Sequence, residues 1–350
     1  MSENKKNSFA IFISAGLGDA VLLLPLIKRL KKDNYHLTAI ITSSFNCEAL
    51  FEHSDLFDEI VILRSKVSKL TFALKHLHYF QKSIINYFAA SRSNLMLANS
   101  ISKEVVCNNT ENKSNLLNKR IVFKTPEKNI HDALQNLQLF YKKENILPLN
   151  LNDFQLKLKS VSDLSLPAPY IVVQTSTGNN NAPYKTWPLI HWLSLIEKIQ
   201  QKYPHLNIVL LGDKNEIGIE NALQKKNKKL ISLIGKTSIS QVWSIISNAL
   251  LFVGLDGGPM HVAATVDAPT FTIWGGSDPE LYAYHHIDGT KHRIIKKTMS
   301  CGPCNSWINP NTSKTGNPLK CPDFECLTSL SPETVFAELV TFIASLEINA

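Results

Sequence analysis

Leu250-Leu-Phe-Val-Gly-Leu-Asp-Gly-Gly-Pro-Met-His261 is the stretch that decides the fold. An apolar run ends at Leu255, and Asp256 stands at its carboxyl end. Gly257 and Gly258 let the backbone turn tightly with no side chain in the way. Pro259 suits the first turn of a helix, where its missing N–H costs nothing. The stretch therefore reads as strand, turn and helix, the corner of an α/β sheet. A helix starting there offers free N–H groups and about half a positive charge to an anion, and His261 can donate to the same anion. A plain corner with Asp256 as the N-cap accounts for the same residues.

The pattern repeats outward from this corner. Upstream, Tyr170–Gln174, Asn207–Leu211 and Leu230–Ile234 read as strands, and Leu189–Tyr203, Asn215–Lys226 and Ile239–Asn248 as helices. Downstream, Thr270–Trp274 reads as the last strand. Residues 301–330 read as irregular, and Pro332–Leu346 as a closing helix. The first half shows the same theme. Phe9–Ser14 is a strand, Gly16-Leu-Gly18 a turn, Asp19–Lys32 a helix, and His36–Thr42 and Val61–Leu63 further strands. Residues 66–118 read as largely helical, with no strand assigned, and Asn129–Lys143 as an amphipathic helix. Strands alternating with helices imply βαβ units and parallel sheets. The Ser/Pro-rich stretch 159–169 is the linker. The expected domains are 1–165 and 166–330, two doubly wound α/β domains facing a cleft, with 331–350 a helix able to cross back to the first. Ligands of such sheets bind beyond the carboxyl ends of the strands.

The chain has 350 residues, 44% hydrophobic and 19% charged, which suits two globular domains and excludes a disordered chain. No apolar run reaches the ~18–20 residues of a membrane span, and Phe9–Ser14 is too short for a signal-peptide core. A cytoplasmic protein is expected. The net charge of +8 is uneven: residues 1–165 hold 22 Lys and Arg against 15 Asp and Glu, and the remainder 15 against 14. A basic half suits an anionic partner such as a phosphorylated lipid or a membrane surface, or is simply a solvated face. No nucleic-acid motif is present. Gly16-x-Gly18 lacks the third glycine of a dinucleotide fingerprint, since Val21 stands there, which disfavours NAD(P). There is no hydrolase elbow and no phosphate-binding Gly-x-x-x-x-Gly-Lys-Ser/Thr loop. No Asp-x-Asp motif exists to hold a catalytic metal.

Several residues carry chemistry of their own. Asp19 opens a helix whose dipole favours the ionised carboxylate, fitting it either to accept a proton or to cap the helix. Lys185, on the loop before the helix at Leu189, can reach a diphosphate as a mobile point charge or simply be solvated. Glu216 can hold a ribose hydroxyl or complement a helix dipole. Trp187 and Trp192 read as packing residues. Cys301, Cys304, Cys321 and Cys326 have spacing compatible with a structural zinc site, the other reading being free or redox-labile thiols. Cys47 and Cys107 read as buried small apolar residues.

Five ordered segments resemble glycosyltransferase family 9, the lipopolysaccharide heptosyltransferase family. They are Gly16-Leu-Gly-Asp-Ala-Val-Leu-Leu-Leu-Pro25, Lys185-Thr-Trp-Pro188 with His191-Trp192, Leu211-Gly-Asp-Lys-Asn-Glu216, Leu233-Ile-Gly235, and Asp256-Gly-Gly-Pro-Met-His261 with Ala268-Pro269 and Gly275. The resemblance spans roughly residues 9–340. It implies a GT-B fold and an inverting, metal-independent transfer from a nucleotide-diphosphate sugar, with no cofactor. The donor it implies is ADP-heptose, and the acceptor the lipopolysaccharide inner core, held by the basic N-terminal domain. Asp19 would be the catalytic base. Lys185, Glu216, Asp256, Gly257, Gly258 and His261 would bind the donor, with Lys185, His261 and the helix start neutralising its diphosphate. Peripheral contact with the inner face of the cytoplasmic membrane would follow. The sequence departs from the family at Gly257, where better-known members carry Thr. A non-catalytic nucleotide-sugar binder is the competing class, and a nicotinamide-dependent oxidoreductase a third.

Overall fold

In a computed structural model of the chain, the described residues are 7–14, 16–42, 47–52, 54–108, 120–127, 129–157, 164–177, 183–216, 221, 223, 230–304 and 321–347. They divide into two compact units, residues 1–160 and 161–350, the boundary falling in the Ser/Pro-rich stretch. Each unit holds one six-stranded parallel sheet flanked by helices, and together they constitute the GT-B fold.

The first sheet has the order β3-β2-β1-β4-β5-β6. Its strands are β1 (Ser8–Ile13), β2 (His36–Ile41), β3 (Glu59–Ile62), β4 (Phe80–Ile85), β5 (Ser102–Asn108) and β6 (Ile121–Lys124). All six residues of β1 are buried, the mark of a central strand covered by helices on both faces. The helices are α1 (Leu17–Leu22), α2 (Leu24–Lys32), α3 (Lys66–Lys75), α4 (Arg92–Ile101) and α5 (Asp132–Gln138).

Three expectations for this unit are corrected. The single helix over Asp19–Lys32 is two, because Pro25 near the start of α2 cannot donate back into the preceding turn, and the chain breaks at Leu23. The segment read as largely helical supplies β4 and β5, and β4 is the immediate neighbour of β1. Polar residues disguise these strands. Ser83 and Ser102 are both buried with their hydroxyl oxygens 2.6 Å apart, and Lys82 pairs with Glu104 at 3.1 Å. The helix expected over Asn129–Lys143 is only α5, because Asn129 has φ +57 and His131 is the N-cap, accepting from the Ala133 N–H at 3.3 Å.

The second sheet has the order β12-β11-β10-β7-β8-β9. Its strands are β7 (Tyr170–Gln174), β8 (Asn207–Leu211), β9 (Leu230–Ser232), β10 (Leu251–Leu255), β11 (Thr270–Trp274) and β12 (His292–Lys296). Numbered within their own unit, both sheets run 3-2-1-4-5-6. The helices are α6 (Leu189–Lys202), α7 (Ile239–Ser247), α8 (Gly258–Thr265), α9 (Pro279–Tyr282), α10 (Glu325–Thr328) and α11 (Pro332–Ser345). Thr270–Trp274 is not the last strand, since β12 follows it on the sheet edge. Of the helix expected over Asn215–Lys226, a short 3₁₀ turn at Lys214–Glu216 is described and most of the rest lies outside the described residues. The closing helix α11 packs on α6 and β12 through Val335, Leu339, Phe342 and Ile343, and so shares the core of the second unit. Trp187 and Trp192 are buried in the same core with their rings 5.1 Å apart, which makes them packing residues. Among the described residues, no helix is long and apolar enough to cross a membrane.

Candidate active site

In each sheet the strand order reverses between two central strands, and a crevice opens beyond their carboxyl ends. In the first unit these are β1 and β4. Asp19 lies just past β1, half-buried, at the third position of α1. Its Oδ2 accepts from the Gly16 N–H at 2.9 Å. That hydrogen bond fixes the carboxylate. The glycine turn does not, because Gly16 sits at φ −70, open to any residue.

Against α1 packs α5, and it brings a second carboxyl the sequence did not single out. Asp132 is buried, and Asn136 Nδ2 reaches both its Oδ2 at 3.2 Å and the Leu22 carbonyl at 3.1 Å. Burial, and then the charge of Asp19, push the Asp132 carboxyl up to about 7. Asp132 looks like an ordinary helix-start aspartate in the sequence, and nothing local reveals its proximity to Asp19.

In the second unit the reversal falls between β7 and β10, where the structure gathers most of the residues the sequence singled out. Asp256 follows β10 directly, and its Oδ2 pairs with Lys185 Nζ at 2.7 Å, with side-chain exposures of 5% and 21%. The N-cap of α8 is Gly257, not Asp256, and no side chain caps it. Pro259 has no N–H and the Met260 N–H donates to the Gly257 carbonyl at 3.1 Å, so an anion at this helix start would meet the N–H of Gly258. His261 lies on α8 within electrostatic reach of Asp256 and Lys185. Burial drives its pKa down to about 4, so it acts as a neutral imidazole and not as the expected cation. Its Nδ1 lies 2.8 Å from the Tyr284 hydroxyl. The ring of Tyr284 packs against His292, whose pKa burial also lowers to about 4.

Gln174, at the end of β7, is the residue sequence reasoning missed here. It is buried, and its Nε2 donates to the Ser176 carbonyl at 2.6 Å. A Cβ at Gly257 would lie 3.0 Å from that Nε2, so Gln174 fills the space beside Gly257. Its place at the end of a strand beside the order reversal was the available signal.

Glu216 is not part of this corner. It follows β8, folds under Gly212 and accepts from the Asp213 N–H at 3.2 Å. A Cβ at Gly212 would come within 2.5 Å of its carboxylate, so a larger residue there would make the end of the Glu216 side chain shift.

Cys301, Cys304, Cys321 and Cys326 line one cavity of roughly 390 Å³ beside α10. Burial, and then the three neighbouring thiols, push Cys326 up to about 11. Four sulfur donors suit zinc or iron. Among the described residues, the group of three metal-type ligand atoms lying within 4.8 Å of one another is Glu280, His285 and His286, so no three of the four sulfurs are gathered that closely.

Paired 3-2-1-4-5-6 parallel sheets flanked by helices are the architecture of the GT-B class. The family model of glycosyltransferase family 9 (heptosyltransferase) matches residues 95–313, and the chain belongs to that family of heptosyl-transferring enzymes. It is 24% identical over 335 residues to lipooligosaccharide heptosyltransferase 2 of Campylobacter jejuni, covering 94% of this chain and 96% of that protein. Among solved structures it resembles the ADP-heptose lipopolysaccharide heptosyltransferase II of Escherichia coli, with TM-score 0.73, 17% identity and coverage of 97% and 99%. It also resembles TibC of enterotoxigenic E. coli, described as an iron-containing dodecameric glycosyltransferase, with TM-score 0.60, 15% identity and coverage of 98% and 77%.

Proposed function

We propose that the protein transfers a heptose from ADP-heptose to the inner core of lipopolysaccharide, with inversion and without a catalytic metal, in the cytoplasm at the inner membrane face. Names among the relatives support the donor and acceptor: the E. coli structure is an ADP-heptose enzyme and the C. jejuni relative acts on lipooligosaccharide. The observation that carries the chemistry is the division of labour between the two strand-end crevices. One holds a fixed carboxylate, and the other holds an uncapped helix start beside a lysine.

In this reading Asp19 accepts the proton of an acceptor hydroxyl bound by the first unit. The freed oxygen attacks the anomeric carbon of the donor. The bond from that carbon to the diphosphate oxygen breaks, and ADP leaves. Gly257 and Gly258 place the backbone of the α8 start close to the diphosphate, and Lys185 and neutral His261 donate to it. Asp256 repels a phosphate unless Lys185 neutralises it, so its part is to hold Lys185 in place. Glu216 takes a donor ribose hydroxyl. The four cysteines serve a structural role, with a metal bound among them or as free thiols. TibC, described as iron-containing, is the precedent for a metal in a protein of this fold.

The test is transfer itself. Full-length protein is incubated with ADP-heptose and purified inner-core lipopolysaccharide, with and without excess EDTA, while ADP release and acceptor mass are followed. One added heptose with an inverted anomeric centre, at equal rates in both conditions, is expected. Transfer from another nucleotide sugar but not ADP-heptose would reassign the donor. Loss in EDTA that Mg²⁺ or Mn²⁺ restores would overturn metal independence. A slow loss of stability under chelation would instead indicate a metal at the cysteines.

A further inference from the structure

The helix α3 is built the wrong way round for a soluble surface. Its inward face is thin: Phe72 and Ala73 pack on the first core, and Lys69 Nζ ties the helix to α4 through Ser93 Oγ at 3.1 Å and Asn94 Oδ1 at 2.8 Å. Its aliphatic residues larger than alanine point outward. Val67, Leu70 and Leu74 are 71%, 62% and 65% exposed, and Leu77, just past the helix end, is 59% exposed. At roughly 100° per residue Val67, Leu70 and Leu74 fall in one stripe about 60° wide, with Leu77 exposed in the turn beyond it. The helix is firmly held from behind and capped at Ser65, whose hydroxyl accepts from the Ser68 N–H at 3.0 Å, so the stripe is a fixed face.

Charge distinguishes what covers it. On the same wheel Lys66 and Lys75 flank the stripe, one on each side, and residues 65–79 contain three lysines and no acid. A second copy meeting this face by two-fold symmetry would bring lysine against lysine. An anionic bilayer accepts both features, apolar side chains among its acyl chains and ammonium groups among its headgroups.

We propose that α3 docks the first unit onto an anionic phospholipid surface, with Val67, Leu70, Leu74 and Leu77 inserted and Lys66 and Lys75 on the headgroups. This rests on the reading above in that a lipid-borne acceptor gives the docking its purpose. It would hold the Asp19 unit at the surface where the acceptor resides.

The experiment uses the full chain and sedimentation with two kinds of vesicle, phosphatidylethanolamine with phosphatidylglycerol, and phosphatidylcholine alone. Wild-type protein is expected to partition onto the acidic vesicles and to be released by salt. The double variant Leu70→Gln/Leu74→Gln should lose about tenfold or more in partitioning, and Lys66→Gln/Lys75→Gln should lose the preference for acidic lipid. Both substitute exposed residues, and unchanged melting temperatures confirm the fold. Transfer to a detergent-dispersed acceptor should be unchanged in both. Wild-type partitioning retained by the Leu70→Gln/Leu74→Gln variant, or no wild-type binding to acidic vesicles, overturns the inference. So does a wild-type dimer that this variant converts to monomer. Vesicle binding lost in the variant, from a wild type that transfers no heptose, supports the docking face and removes the functional reading instead.

Discussion

The two units share one strand order and treat buried charge in opposite ways. Beside the β1–β4 crevice, the first unit buries an acid next to another acid, and Asp132 is pushed up to about 7. Beside the β7–β10 crevice, the second unit buries His261, driven down to about 4, and locks its lysine onto Asp256, while His292 at the start of the edge strand β12 is also driven down to about 4. A parallel sheet fixes where a crevice opens but not what lines it. The lining follows from the side chains just past each central strand. In the proposed reading one end takes a proton, and the other holds an anion while keeping little net positive charge before the anion arrives.

The largest effect that could break this contrast lies at Asp19. Asp19→Asn should lower kcat by ~10²–10⁴-fold while leaving ADP affinity unchanged, because the donor crevice belongs to the other unit. A variant that melts lower yet turns over at the wild-type rate would show that Asp19 only caps α1. Lys185 comes next. Lys185→Ala should weaken ADP binding by ~1.5–3 kcal/mol, the worth of a charge-assisted hydrogen bond. It should also destabilise the fold by about 3–5 kcal/mol, because it leaves Asp256 buried and unpaired. Adding Asp256→Asn should restore stability but not affinity. Calorimetry with ADP and thermal melts separate the two roles, and full ADP affinity in Lys185→Ala would place the diphosphate elsewhere.

The units also differed in how much of them could be read in advance. Five of the six strands of the second sheet were legible, because its central strands are short, unbroken apolar runs such as Tyr170–Gln174 and Leu251–Leu255, whereas the edge strand β12, His-Arg-Ile-Ile-Lys, carries polar residues and was not. Its donor corner was legible because a strand, two glycines and a proline stand consecutively. In the first sheet β4 and β5 were hidden, since their buried serines satisfy each other across the sheet and Lys82 pairs with Glu104. A pairing between residues 19 positions apart leaves no local periodicity. Distance in sequence likewise hid Asp132 behind Asp19, and Gln174 behind Gly257. The neutral state of His261 follows from complete burial under Tyr284, which residue type and spacing could not supply.

The buried groups give the contrast a pH signature. His261 and His292 have folded pKa values below the unfolded value of about 6.5, so their stabilisation is present above that pH and is lost as pH falls toward 4. Asp132 has the opposite sign. Its folded pKa lies above the unfolded 3.8, so its stabilisation is present below that value and is lost as pH rises toward 7. Between pH 7 and 4, acidification should loosen the second unit, by on the order of 3 kcal/mol per histidine, while tightening the first. Hydrogen exchange at pH 6.5 and 4.5, corrected for intrinsic rates, should show protection falling in β10–β12 and not in β1 and β4. Equal loss in both units would remove the contrast.

The smallest expected effect concerns Gly257, the position at which the family resemblance implies a threonine. Gly257 sits at φ −164, extended backbone that any residue adopts, so Gly257→Thr meets no backbone strain. A threonine Cβ would lie 3.0 Å from Gln174 Nε2 and 3.7 Å from Thr177 Cγ2. The far end of a glutamine can shift by the few tenths of an ångström required, though its hydrogen bond to the Ser176 carbonyl resists. Against that, threonine caps a helix at least as well as glycine and restricts the unfolded chain, together worth a few tenths to about 1 kcal/mol. These opposing effects should leave stability within about 1 kcal/mol of wild type, a shift of only a few degrees in Tm for a chain of this size. The added hydroxyl stands at the open start of α8, so ADP affinity should rise modestly or hold. A large drop in Tm would mean that Gln174 is rigid and that this corner is built around glycine. A large drop in ADP affinity at unchanged Tm would mean that the diphosphate approaches the backbone of Gly257 too closely for any side chain.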